Sequence, residues 1–341
     1  MKKLVTLLLI VPALALAIIV ASCTKEGEQG PPGENGINGT DGTATCGQCH
    51  DSGEAFLAKV IQWEASTHAT GGNFERNDKS CAPCHTSMGF REVIETHADT
   101  TAATVQNPTP PNCYTCHQIH ETYEAADWAL RTIDPVALRT DGTNTSMGQG
   151  NLCSNCHQIN PPNPMPVVGA TEDVTITSPY WGPHHGPQAN MFTGNGGYEI
   201  GSGYENSFHT ANVESGCVQC HLADPYGVQA GGHTMNMTYA YHGHDVVNKA
   251  GCLECHTNPE NLDIKIEETK AVIDGLLETL KADLIAMGVL DEGDHVVPGT
   301  MPSLSAGAVY NYLYVLEDRS GGTHNYAYAK KLLDNTIAAI Q

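Results

Sequence analysis

Six copies of Cys-x-x-Cys-His are the residues of this chain best suited to chemistry. The cysteines are Cys46, Cys49, Cys81, Cys84, Cys113, Cys116, Cys153, Cys156, Cys217, Cys220, Cys252 and Cys255. The histidines that close the motifs are His50, His85, His117, His157, His221 and His256. At this spacing two thiols can add to the vinyl groups of one haem, and the adjacent histidine can ligate its iron. The motifs therefore predict six haem c groups, each with a proximal histidine.

The cysteine count supports this interpretation. The chain has 13 cysteines, and the six motifs leave only Cys23. The alternative is a secreted scaffold held by disulfides, which would fit an oxidising compartment. That alternative does not explain the histidine after every second cysteine.

The other histidines decide whether the irons are saturated. Of 17 histidines, eleven lie outside the motifs. A second histidine on each iron would block substrate access and favour electron transfer. From local sequence we predict six such distal ligands: His68, His120, His185, His209, His233 and His324. His184, His242 and His244 are held in reserve, whereas His97 and His295 are predicted to be surface residues.

The N-terminus predicts export and a lipid anchor. Residues 1–22 combine a basic start with an apolar run, as in a signal peptide, and small residues precede Cys23. This order resembles a bacterial lipobox, which implies acylation of Cys23; ordinary cleavage with a free Cys23 is the alternative.

Residues 23–45 carry glycine at every third position from Gly27 to Gly42. We interpret them as a flexible tether rather than a collagen-like triple helix, because so few triplets would not hold three chains together.

The remaining chain is predicted to be mainly α-helical with extensive coil. A hexahaem domain is assigned to residues 46–260, organised around stacked haems with little sheet. Residues 261–341 form a C-terminal helical segment, with helices expected at 262–288, 303–317 and 324–340. These helices would brace the haem domain or build a homo-oligomer interface, and apolar periodicity does not separate the two.

Several segments resemble bacterial multihaem c-type cytochromes. They are residues 63–68, 184–188, 232–234 and 321–325. The resemblance is to the broad grouping of pentahaem nitrite reductases and octahaem oxidoreductases, and it spans roughly residues 46–341. It implies a fold built around haems. The nitrite reductases typically carry Cys-x-x-Cys-Lys at the catalytic haem, and that motif is absent from this sequence.

Composition and motifs together favour an electron carrier. The net charge of −22 disfavours nucleic acid and favours basic redox partners. We expect electron transfer to redox proteins or extracellular acceptors, from an outer-membrane lipoprotein that is on the cell surface or faces the periplasm. One alternative is an oxidoreductase acting on a small nitrogen or sulfur compound at one open haem. A second is a subunit of a cytochrome filament.

Overall fold

The computed structural model describes residues 53–341, which lie within one compact unit. The signal peptide, the tether, Cys23 and the first motif (Cys46, Cys49 and His50) lie outside these residues. The predictions made for them therefore remain predictions.

Short helices separated by long loops make up the part of the chain that carries the motifs. In chain order they are α1 Glu54–Glu64, α2 Thr67–Thr70, α3 Ala82–His85, α4 Ser87–Thr96, α5 Cys113–Cys116, α6 Asn151–Ser154, α7 Gln188–Thr193, α8 Phe208–Asn212 and α9 Cys217–His221. Four 3₁₀ turns lie among them, at Asn73–Glu75, Ala125–Trp128, Gly148–Gly150 and Gly232–Thr234. Glycine and proline are frequent in this chain, and both limit helix length.

Sheet structure in residues 53–341 is limited to two antiparallel pairs. Strand β1 (Asp173–Ile176) pairs with β4 (Gly299–Pro302), which joins the motif-bearing part to the C-terminal segment. Strands β2 (Thr238–Tyr241) and β3 (His244–Val247) form a hairpin. The small amount of sheet agrees with the predicted fold class, mainly α with extensive coil.

Three long helices form the C-terminal segment. They are α10 (Pro259–Ala286), α11 (Ser303–Asp318) and α12 (Tyr326–Ile340), close to the predicted bounds. Asn258 caps α10 with a hydrogen bond from the Asn261 amide, and Pro259 occupies its first turn. None of the helices in residues 53–341 is both long and apolar enough to span a membrane.

The principal apolar core is formed mostly by these helices, and Met191 and Tyr198 of the motif-bearing part also pack in it. Leu280 and Leu284 of α10 pack there with Leu332 and Leu333 of α12, and all four are fully buried. Helix α11 crosses the same core and buries Tyr310 and Tyr314.

Polar contacts tie α11 to an extended segment of the motif-bearing part. The Asn311 side chain accepts from the Tyr198 amide at 2.7 Å and donates to the Tyr198 carbonyl at 2.8 Å. The Tyr314 hydroxyl donates to the Asn195 carbonyl at 2.7 Å. Because buried polar groups are costly unless paired, these bonds fix how the two parts of the chain pack.

Candidate functional site

The haem motifs of the described chain lie on short helices or turns. Four of the five overlap α3, α5, α6 and α9, whereas the last, Cys252 to His256, lies on turns. The third shows how the sequence builds such a helix. The Asn112 side chain accepts from the Tyr114 amide at 3.0 Å, and the Thr115 hydroxyl accepts from the Asn112 amide at 2.9 Å. This reciprocal cap holds Cys113 and Cys116 in one helical turn.

One large cavity joins these motifs. It has a volume of about 3830 Å³ and is lined by both cysteines and the histidine of each of the five described motifs. The ten cysteines form no disulfide bonds with one another. The cysteines and histidines of the five motifs therefore line one shared space.

Each of the five motif histidines in this cavity faces a second histidine. The ring centres are 6.0 Å apart for His157 with His68, 6.0 Å for His85 with His184, 6.3 Å for His117 with His233, 6.1 Å for His256 with His209 and 6.3 Å for His221 with His324. The two histidines of each pair are between 47 and 116 residues apart along the chain. The folded chain therefore brings the two members of every pair together from distant segments.

This separation fits two imidazoles on opposite sides of one metal ion. An imidazole nitrogen lies about 2 Å from a bound metal and about 1 Å from its own ring centre, so opposed ligands have ring centres about 6 Å apart. Among the residues described, no group of three or more histidines, cysteines or carboxylates is gathered to hold a metal ion. Two opposed imidazoles suit an iron whose other ligands come from a porphyrin.

Hydrogen bonds to Nδ1 orient six of the ten rings. Backbone carbonyls lie 2.7 Å from His117 Nδ1, 2.8 Å from His221 Nδ1 and 2.9 Å from His209 Nδ1. The other acceptors are Gln188 for His157 at 3.2 Å, Met235 sulfur for His68 at 3.0 Å and Asp318 for His324 at 2.7 Å. A proton held on Nδ1 leaves the Nε2 lone pair free, which is the arrangement of a metal-binding histidine.

The structure favours His184 over His185 at the second motif. The sequence analysis chose His185, but it is the ring of His184 that faces His85. His185 instead places Nδ1 2.9 Å from Glu317. His184 has a positive φ of 67°, which turns the two neighbouring side chains in different directions. The ring opposite His85 is therefore that of His184, a residue held in reserve by the sequence analysis.

His184 differs from the other distal rings in its hydrogen bonding. Its Nδ1 accepts from the His185 amide at 2.7 Å. A neutral imidazole that accepts at Nδ1 carries its proton on Nε2. Of the five pairs, that of His85 and His184 therefore has the hydrogen bonding that least favours metal ligation by both imidazoles.

His120 lies outside these five pairs. Its Nδ1 is 3.3 Å from the Tyr114 hydroxyl, and its ring stacks on Tyr123 at 5.4 Å. The first motif lies outside residues 53–341. His120 therefore remains a predicted ligand, whereas the reserve residues His242 and His244 lie on the β2–β3 hairpin.

Burial keeps most of these imidazoles neutral. Desolvation lowers the pKa of His68 to about 4, with a further contribution from the charge of His157. It also lowers the pKa of His85, His157, His184, His221 and His233. His324 is the exception: burial acts to lower its pKa, but the charge and hydrogen bond of Asp318 outweigh burial and raise it. Neutral imidazole is the form that ligates a metal.

The haem motifs contact one another in an order that differs from their order along the chain. The second and fourth motifs exchange contacts, with Cys84 sulfur 3.9 Å from the Asn155 carbonyl and Cys156 sulfur 3.8 Å from the Pro83 carbonyl. The fifth motif contacts the residues just before the fourth, where Cys217 sulfur lies 4.0 Å from the Gly150 carbonyl.

The fifth and sixth motifs also touch. Gln219 Nε2 donates to Glu254 Oε2 at 2.7 Å, and Gly251 lies against the backbone of Gln219 and Cys220. The contacts thus run from the second motif to the fourth, fifth and sixth.

Gly251→Ala should loosen the last of these contacts. A Cβ there would overlap the Gln219 carbonyl oxygen and lie 3.0 Å from Cys220 Cα, and backbone atoms cannot move aside easily. We expect a loss of about 1–3 kcal/mol in the free energy of unfolding, measured by denaturant titration of the haem-loaded protein. Gly275→Ala is the matched control, because nothing lies within 4 Å of its Cβ position inside α10. The control should gain about 0.5–1 kcal/mol. Equal stability of the two variants would contradict the close contact.

Comparisons with known proteins agree with the fold. No protein-family model matches the sequence, and the comparison with curated proteins gives no match. Among solved structures, the chain is similar to the outer cell wall cytochrome OcwA, with a TM-score of 0.53 and 22% identity. The match covers 83% of this chain, which spans about half (50%) of the length of that structure. The described residues therefore have a mainly α-helical multihaem cytochrome fold.

Proposed function

We propose that the protein transfers electrons through six covalently attached haem c groups, each ligated by histidine on both sides. The observation that supports this most strongly is the set of five histidine pairs at 6.0–6.3 Å beside five cysteine pairs in one cavity. When bound, each haem supplies a one-electron couple. The protein's part is to attach the haems, to orient the imidazoles and to deny small molecules access to the irons.

The distal ligands in this proposal are His184, His233, His68, His324 and His209, for the second to the sixth motif respectively. His120 is assigned to the first. Its Nδ1 lies 3.3 Å from the Tyr114 hydroxyl, which can accept the Nδ1 proton and leave Nε2 free to ligate. The contacts among the motifs support an order in which the fourth and fifth haems lie between the second and the sixth.

The partners are proposed to be redox proteins or extracellular electron acceptors. The net charge of −22 favours partners with basic surfaces and opposes nucleic acid. The signal sequence and Cys23 support export and a lipid anchor at the outer membrane, and the name of the similar cytochrome supports a place in the cell envelope.

A reductive titration tests the electron count. Protein produced with its haems should take up six electrons per chain, one for each motif, and its intact mass should include six haems. The Cys252→Ala/Cys255→Ala variant is the matched control and should lose one haem and one electron. Uptake of fewer electrons than there are attached haems would contradict the proposal.

A second candidate function is an oxidoreductase acting on a small nitrogen or sulfur compound at the second motif. The observation in its favour is the hydrogen bond that His184 Nδ1 accepts, which disfavours ligation by that residue. Nearby Arg76 and Arg139 add positive charge that would attract an anion. Turnover of nitrite, hydroxylamine or tetrathionate that is abolished in His85→Ala would support this candidate. Failure with all three compounds would leave the electron carrier as the better account.

A further inference from the structure

The contact between His324 and Asp318 sets one histidine pair apart. His324 Nδ1 lies 2.7 Å from Asp318 Oδ1, and Asp318 is only 3% exposed. Among residues 53–341, the ion pair that Asp318 makes is the one with His324. The neighbouring cation, Arg319, is directed to Glu317 at 3.1 Å. The carboxylate charge therefore acts mainly on this imidazole.

The other oriented rings meet uncharged acceptors. Three donate to backbone carbonyls, one to the Gln188 amide oxygen and one to the Met235 sulfur. A carboxylate draws the Nδ1 proton more strongly than a carbonyl does, which makes Nε2 a stronger electron donor to a bound metal. A buried charge also acts through a lower dielectric than an exposed one.

Local structure holds the carboxylate in place. Asp318 is the last residue of α11, and the chain then turns so that His324 returns beside it. Ser320 donates its hydroxyl to Asp318 Oδ2, and the same hydroxyl accepts from the His324 amide at 3.3 Å. The turn therefore fixes the carboxylate against the ring before any metal is bound.

We propose that Asp318 is a positioning and tuning residue that lowers the reduction potential of the haem held by His221 and His324. The inference rests on the proposed function, since it requires His324 to ligate that haem. Because the fifth motif touches both the fourth and the sixth, the tuned haem lies inside the series. Its potential would then be lower than the same ligands would give without the carboxylate.

A potentiometric titration of the full-length, haem-loaded protein tests this proposal. Asp318→Asn keeps the shape of the side chain and removes its charge. It should shift one of the one-electron waves to higher potential, change the g values of one low-spin species and leave the other waves in place. Ser320→Ala removes a donor to the carboxylate and should shift the same wave to lower potential.

Control variants distinguish an effect on the reduction potential from damage to the fold. Asp141→Asn removes a carboxylate that bonds Thr143 and Asn195 rather than a histidine, and it should shift no wave. Asp318→Glu restores the charge and should return the wave towards its original position. The proposal would be overturned if the titration curves of Asp318→Asn and of the unaltered protein superimpose. His324→Ala reports on the proposed function separately: an unchanged spin state would show that His324 is not a ligand and would overturn both.

Discussion

Protein produced without haem will lose the structure of most of residues 53–258 and keep its three C-terminal helices. The main apolar core is formed mostly by α10, α11 and α12, with a few residues such as Met191 and Tyr198 from the motif-bearing part. The second buried cluster contains only Leu138, Met147, Ala189 and Phe192. The cavity of about 3830 Å³ would have to fill with water or collapse. The haems must therefore supply most of the apolar contact in the motif-bearing part, as metals do in small metal-binding domains.

Hydrogen exchange of the haem-free chain measures this effect. Amides on α1 to α9 should exchange at nearly the rate of an unfolded chain, while those on α10 to α12 stay protected. Haem-loaded protein treated with a thiol reductant is the control, because thioethers resist reduction whereas disulfides do not. It should remain protected throughout. Uniform protection of the haem-free chain would show that the protein core alone is sufficient.

His184→Ala and His185→Ala should have opposite outcomes. If His184 ligates the second haem, its loss should convert one low-spin haem to the high-spin state and expose it to cyanide or carbon monoxide. His185 contacts Glu317 and not His85, so its replacement should leave all the haems low-spin. Resonance Raman spectroscopy of the two proteins distinguishes these states.

The same measurement extends to the other distal histidines. Alanine at His68, His209, His233 or His324 should each produce one high-spin haem, and so should His120→Ala if that residue serves the first motif. A high-spin haem in His185→Ala but not in His184→Ala would reverse the revised assignment.

The sequence was sufficient to predict the helices and motifs that are determined by residues close together along the chain. Apolar periodicity placed α10, α11 and α12 within three residues of their observed ends, because each buries a continuous stripe in one core. The motifs identified the attachment chemistry, because the spacing of two thiols and one imidazole is fixed by the haem itself.

Features that depend on distant contacts were harder to predict. His117 and His233 meet although 116 residues separate them, and the nearby sequence does not encode that pairing. His184 and His185 are adjacent residues of one type, and only the positive φ of His184 decides which of them faces His85. The interaction of Asp318 with His324 depends on a turn after α11 that carries no distinctive motif. A search for acidic residues a few positions before each candidate histidine could have suggested it.

The central claim, that histidine ligates every iron on both sides, is tested most directly by electron paramagnetic resonance of the fully oxidised, haem-loaded protein at low temperature. We predict low-spin signals that account for all six haems, unchanged by nitrite or cyanide. A high-spin signal equivalent to a single haem, altered by either anion, would contradict the claim and identify an open site.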